Sequence, residues 1–455
     1  MNIIKCAINR FTKTDGKKYL SAIENVRRKD MDICPMIKEH LEKYESVMKE
    51  YSPKLARLYK NCYLHTFDAF SRREDGTLSD YLVSGDIPAM WLRDSSAQLW
   101  NYVCFANDPE IGGLIRSVIK KQFSYIAVDP YANAFNEQPS DRGHTEDIPR
   151  KSPWVWERKY ELDSLSYPLR LIYKYYKVTG DGAFIEEVLP GTVKTVLDVL
   201  ETEQHHFEKS EYRFSRETDR YNDTLHNNGM GEPVGYTGMT WQGFRPSDDA
   251  VSYGYNIPGN IFAYVVLGYV SELLKNCAPE VAERAERLRQ EMLDGVKKYG
   301  ITEHEKYGKI FAYETDGLGN YEFMDDANTP SLLSLPYIGF NTTELDEVYK
   351  NTRRFILSDD NPYYYKGSFA SGLGSPHEYT GYIWHMGLSM QGLTSEDAEE
   401  MRNVLDTLIS ADADTGYMHE CFDPDDPKKF KREFFTWSDA LFCEFAERCV
   451  EKKVI

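Results

Sequence analysis

At 455 residues the chain is long enough for two or three average domains or for one large helical barrel, and no Gly/Ser-rich or Pro-rich linker divides it. Its 54 basic against 73 acidic residues give a formal charge of -19, which argues against a nucleic-acid backbone as ligand and for a neutral one. Aromatic residues make up 14%, including 33 Tyr and 7 Trp, a supply of flat amphipathic rings suited to carbohydrate or to a large aromatic core.

Residues 1–34 read as an N-terminal extension of a single domain spanning 1–455. Their opening stretch, MNIIKCAINRFTKTDGKK, places Lys5 among its apolar residues and has neither a continuous hydrophobic region nor a small-residue cleavage site, so the expected location is cytoplasmic. From Pro35 to Cys449 helical periodicity recurs and strand alternation is scarce, giving about a dozen helices. The segment GDIPAMWLRDSSAQLW, Gly85 to Trp100, is a ready-made sugar contact set: Trp91 offers a ring face to pyranose C–H groups, Arg93 supplies donors and Asp94 acceptors. Asp94 with Ser95 and Ser96 also reads as a helix start. Polar clusters follow at Asn136 to Ser140 and Val155 to Leu165. Leu162, Leu165, Leu169, Ile172, Tyr173 and Tyr176 then predict a helix that Gly180 terminates, with Asp181 capping the next.

The loop TGMTWQGFRPSDDA, Thr237 to Ala250, brings Trp241, Arg245, Asp248 and Asp249 together ahead of a helix. Capping by Ser247, Asp248 or Asp249 accounts for one carboxylate better than for two. The other is a general-acid candidate, and holding its proton at neutral pH requires burial or a neighbouring anion. The run Ile261 to Val270 is apolar nearly all round but far shorter than the roughly 20 residues of a bilayer span, so it predicts a buried core helix. Val281, Ala285, Leu288 and Met292 form one stripe, with Glu283, Arg284, Glu286, Arg287 and Arg289 facing water. Two tiers of helices with long interleaved loops predict an all-α (α/α)6 barrel; an α-solenoid would need a fixed-period repeat, which the sequence lacks.

Further along, Phe323 to Tyr337 carries Asp325, Asp326 and Asn328. In GLGSPHEYTGYIWHM, Gly372 to Met386, His377 is either a hydroxyl partner or a structural histidine, and Glu378 is a rival general base. In GYMHECF, Gly416 to Phe422, Glu420 stands in a loop before FTWSDALF, Phe435 to Phe442. An inverting glycosidase sets an acid and a base carboxylate roughly 6.5 to 9.5 Å apart around a water, and Asp248 and Glu420 take those parts if the barrel closes. Acidic turns at Asp423 to Pro427 and Asp325/Asp326 lack the spacing of a calcium loop, and the eight cysteines show no zinc spacing and read as reduced, mostly buried thiols. Without P-loop, dinucleotide fingerprint or nucleophile elbow, neither metal nor cofactor is expected.

Taken in series from about Ser84 to Phe442, GDIPAMWLRDSSAQLW, FRPSDDA, FMDDANTPSLLSLPY, GSPHEYTGYIWHM, GYMHE and FTWSDALF resemble glycoside hydrolase family 125, the inverting exo-α-1,6-mannosidases. The resemblance implies an (α/α)6 barrel whose pocket releases a terminal mannose from the non-reducing end without a metal. It matches Asp248 to the general acid, with the adjacent Asp249 as alternative, and Glu420 to the general base. Arg93 and Asp94 match the sugar-holding pair and His377 the Ser-Pro-His contact; with Trp91 and Arg245 they are the expected sugar contacts. Two departures stand out: His385 where the family pattern has Pro, and Glu378 with Tyr379 in place of Thr-Pro, both bearing on pocket shape and the leaving sugar. The expected partner is a mannose-containing oligosaccharide, with neither nucleic acid nor membrane. A glucoamylase-like inverting hydrolase, which the Trp-Leu-Arg-Asp device would equally suit, and a non-catalytic glycan-binding barrel are the competing readings.

Overall fold

The computed structural model describes residues 34–377 and 379–455. The expected extension therefore lies outside the described residues except for Cys34, as does Glu378. Among the described residues twelve α-helices have eight residues or more: α1 Pro35–Tyr51, α2 Pro53–His65, α3 Leu92–Leu99, α4 Pro109–Val128, α5 Leu162–Thr179, α6 Gly182–Glu203, α7 Ile257–Leu274, α8 Pro279–Tyr299, α9 Asp346–Ile356, α10 His385–Leu393, α11 Ala398–Ser410 and α12 Thr436–Glu451. Local chemistry sets their ends. Gly180 closes α5 in the left-handed conformation at φ 67°, and the Asp181 side chain accepts from Phe184 N to start α6.

These helices form the two-tiered (α/α)6 toroid. Helices α3, α5, α7, α10 and α12 are the inner tier: α3 packs on α5, α5 on α7, α10 on α12, and α12 back on α3. Helices α2, α4, α6, α8, α9 and α11 lie outside them; on α8, for example, Val281, Ala285, Leu288 and Met292 are buried while Glu283 and Arg287 are not. The sixth inner position is not a regular helix. Ser331–Gly339 fills it with consecutive turns, Ile338 N donating to Ser334 O, because Pro336 lacks the N–H and adds the bulk that break a helix. This segment sets Gly339 against Tyr269 of α7 and donates from the Tyr337 hydroxyl to Glu444 of α12 at 3.0 Å. Helix α7 begins four residues earlier than the apolar run suggests. It is long and apolar enough to cross a membrane, but two thirds of it is buried inside the protein.

Strands are short. Three inner helices start directly from a two-residue strand held in a three-stranded antiparallel sheet: Met90–Trp91 ahead of α3, Tyr255–Asn256 ahead of α7 and Ile383–Trp384 ahead of α10. Their registers pair Trp91 with Ala134, Asn256 with Glu314 and Trp384 with Cys421. Each pairing fixes the direction in which an inner helix leaves the loops, and thus where its first side chains point. Two-residue strands are too short to show a period of two, which is why the sequence reads as all helix.

Candidate active site

One cavity of about 380 Å³ opens over the N-terminal ends of the inner helices. Trp91, Arg93 and Asp94 come to it from the start of α3, Trp384 from the residue preceding α10, and Phe435 and Trp437 from the start of α12. Loops add Ser84, Ser247, Asp248, Asn328, His377, Glu420 and Arg432. Four buried polar atoms of this wall, Trp91 Nε1, Trp384 Nε1, Arg93 Nε and Asp94 Oδ2, accept or donate no hydrogen bond within the protein. Buried polar groups normally find partners, so unpaired donors and an acceptor among aromatic rings suit a ligand dense in hydroxyls.

Asp94 is not a helix cap. The helix starts at Leu92, two residues ahead of it, and the Ser95 and Ser96 hydroxyls donate back to Trp91 O at 2.7 Å and Leu92 O at 2.8 Å. Its carboxyl lies 3.5 Å from Arg93 Nε and is raised above the usual carboxylate range, burial outweighing the arginine.

Asp248 sits at the tip of a closed loop. Phe244 bridges Ala250, Arg245 N donates to Asp249 O at 2.7 Å, and Asp248 N donates to Arg245 O at 2.9 Å. The turn forces Asp248 to φ 67°, so neither it nor Asp249 caps α7, whose cap is Asn256. The same turn separates the two neighbouring aspartates. Asp248 lines the cavity and accepts from Arg93 Nη2 at 3.0 Å, whereas Asp249 faces away from it and meets His377 Nδ1 at 3.1 Å. Burial raises the Asp248 carboxyl, but the Arg93 guanidinium holds it below the usual range. His377 behaves in the opposite way: burial pushes the imidazole down, yet the Asp249 carboxylate lifts it to about 9.

Glu420 is fixed by its neighbours in the chain. Cys421–Phe422 pairs with Ile383–Trp384, Met418 N donates to Asp439 of α12 at 2.9 Å, and Glu420 Oε1 accepts from Arg432 Nη1 at 3.0 Å. Arg432 also donates to Asp86 at 3.0 Å and Ser84 O at 3.1 Å, tying the Glu420 loop to the segment that leads into Trp91. His385, expected to reshape the pocket, is fully buried behind Glu420 and does not line the cavity. Its backbone N–H donates to Glu420 O at 3.3 Å, a bond that proline could not make, and burial lowers its imidazole to about 4.

Arg245 does not reach the cavity either. Its Nε donates to the fully buried Glu314 at 2.5 Å and its Nη2 to Ser252 at 3.3 Å, so this guanidinium braces the loop from below. Among the described residues no cluster of His, Cys, Asp and Glu is suited to a metal ion.

Residues 52–446 match the family of metal-independent alpha-mannosidases, GH125. The chain belongs to this family. It is 45% identical to a Streptococcus pneumoniae metal-independent alpha mannosidase, solved in a non-productive substrate complex with alpha-1,6-mannobiose, with a TM-score of 0.87 over 92% of this chain and 98% of that one. The meiotically up-regulated gene 157 protein of Schizosaccharomyces pombe is 38% identical over 422 residues, 88% of this chain and 83% of its own. A bacterial glucoamylase complexed with acarbose shares the fold at 12% identity and a TM-score of 0.54, over 87% of this chain and 56% of that one. For this alpha-mannosidase family member, sequence reading passed over Arg432 and Glu161. The latter, the residue before α5, bonds to Arg93 at 2.7 Å. Arg432 stands in an unremarkable Lys-Arg-Glu run, and Glu161 within a polar cluster whose spacing points to no partner.

Proposed function

We propose that the protein is an exo-acting, inverting mannosidase that releases a terminal α-1,6-linked mannose from the non-reducing end of mannosides or N-glycan fragments. Asp248 is the general acid and Glu420 the general base. The observation that carries this reading is the pairing of two carboxylates in one cavity, each held by its own arginine: Asp248 by Arg93 at 3.0 Å and Glu420 by Arg432 at 3.0 Å. The sequence places them on loops far apart, and both line the one cavity. The α-1,6-mannobiose held by the Streptococcus pneumoniae relative supports the substrate and the linkage.

In the reaction, Asp248 gives a proton to the glycosidic oxygen as the C1–O bond breaks and its electron pair stays on that oxygen. Glu420 takes a proton from the water that attacks C1 from the opposite face. Trp91, Trp384 and Trp437 provide ring faces, while Arg93, Asp94, His377 and Arg432 present donors and acceptors to the hydroxyls. Arg93 and Arg432 keep the two carboxylates apart and oriented, a preorganisation that stabilises the oxocarbenium-like transition state. Incubation with α-1,6-mannobiose, with the anomers followed by NMR, tests the reading. β-Mannose is expected first; initial α-mannose would refute inversion, and absence of hydrolysis would refute the substrate.

A further inference from the structure

We propose that Glu161, which does not line the cavity, is a positioning residue that keeps the acid loaded by sharing one proton with Asp248 and passing it on as the glycosidic oxygen is protonated. This rests on the reading of Asp248 as the general acid. The geometry behind it is a surplus of carboxyl groups around a single cation. Arg93 Nη1 lies 2.7 Å from Glu161 and 2.9 Å from Asp163, Nη2 lies 3.0 Å from Asp248, and Nε lies 3.5 Å from Asp94. Glu161, Asp163 and Asp94 are almost wholly buried, and the Asp248 side chain keeps only 22% of its exposure. The other cations close by are already engaged: Lys159 with Asp223 and the Asp248 backbone carbonyl, each at 2.7 Å, and with Glu157 at 3.6 Å, and Arg432 with Glu420 and Asp86, each at 3.0 Å.

One guanidinium cannot offset four buried negative charges, because each unpaired carboxylate would carry its full desolvation penalty. The group therefore holds protons. Glu161 and Asp248 sit on the two terminal nitrogens of the same guanidinium, Arg93 Nη1 and Nη2. Asn133 Nδ2 reaches across both, 3.2 Å from Glu161 and 3.4 Å from Asp248. Burial raises Glu161 well above the usual carboxyl range, while Arg93 holds Asp248 below it, so the shared proton rests on Glu161.

The transfer balances. The proton moves from Glu161 to Asp248 and on to the glycosidic oxygen as the C1–O pair becomes the leaving hydroxyl. Glu161 becomes a carboxylate supported by Arg93 Nη1 at 2.7 Å and the Ser164 hydroxyl at 2.9 Å. After release, the proton that Glu420 took from water returns to solvent and the Glu161–Asp248 pair regains one.

Glu161→Gln keeps the shape but cannot relay a proton. With α-1,6-mannobiose, kcat is expected to fall about tenfold more than with α-mannosyl fluoride, whose leaving group needs no acid, with KM little changed. The alkaline limb of kcat/KM for mannobiose should move to lower pH, since the remaining Asp248 beside Arg93 loses its proton earlier. Equal losses on both substrates with an unmoved limb would overturn the proposal and leave Glu161 a purely structural role. Asp248→Asn is the control: if it depresses both substrates equally, the acid reading itself fails, whereas a mannobiose-selective loss there with none in Glu161→Gln sinks only the relay. Should Glu161→Gln not fold, neutron diffraction of the unsubstituted enzyme at neutral pH decides: a deuteron between the two carboxyls supports sharing, and two bare carboxylates overturn it.

Discussion

His377→Asn separates the charge of the imidazolium from the packing of its loop. The imidazole titrates near 9 rather than at its ordinary 6.5 because Asp249, 1% exposed, stands 3.1 Å from Nδ1. A folded-state value above the unfolded one means the protonated ring stabilises the fold. That contribution is complete below pH 6.5 and disappears as pH rises through about 9. The rise corresponds to about 3 kcal/mol, a ceiling because 22% of the His377 side chain remains exposed. The variant leaves Asp249 with Arg220 at 3.7 Å and the Ser247 hydroxyl at 3.3 Å, a penalty that does not follow the histidine titration. Denaturant unfolding of both proteins between pH 6 and pH 10 reads the difference. Their stability gap should be widest near pH 6 and narrow by up to about 3 kcal/mol towards pH 10. Parallel stabilities across that range would refute the ion pair as the source of the histidine's charge.

Two further substitutions test the frame. A Cβ at Gly392 of α10 would collide with the Phe445 ring of α12, so Gly392→Ala should destabilise by about 1–3 kcal/mol, seen as a lower melting temperature with KM unchanged in the folded fraction; an unaltered melting temperature refutes the close approach. Arg245→Met and Arg432→Met should fail in different ways. The first strands the buried Glu314 and costs about 3–5 kcal/mol of stability without changing KM, and the second releases Glu420 and lowers kcat on the order of 100-fold. A raised KM with intact stability in Arg245→Met would return that residue to the sugar.

The helices were legible because their causes are local. The apolar stripe of α8, the Gly180 stop and the Asp181 cap each depend on residues within a turn or two. The inner position filled by Ser331–Gly339 was not, since a proline in an apolar run ends a helix without revealing that turns will take its place in the ring. Arg245 shows where local reading of a site fails. An arginine beside a tryptophan and two aspartates suits a sugar, but its partner is Glu314, 69 residues away, brought there by the pairing of Asn256 with Glu314. The two aspartates at 248 and 249 could not be told apart for a similar reason. A left-handed residue at the loop tip sends one to the cavity and the other to His377, and it follows from the closed Arg245–Asp249 turn rather than from either side chain.

The concentration of chemistry at one end of the toroid also has a physical cause. Helices α3, α5, α10 and α12, whose first turns approach the cavity, have no side-chain cap, whereas α7, whose first turn contributes nothing to its wall, is capped by Asn256. The positive ends of four helix dipoles thus point towards the site without a capping side chain between. That field favours negative charge near the first turns, where Asp94, Asp163 and Asp439 occur on α3, α5 and α12. It gives the fold a means of tolerating a surplus of buried carboxyl groups that Arg93 alone could not hold. Restoring a cap would then compete with function: a serine placed at Trp91 or Phe435 would satisfy the helix start while removing a wall of the cavity.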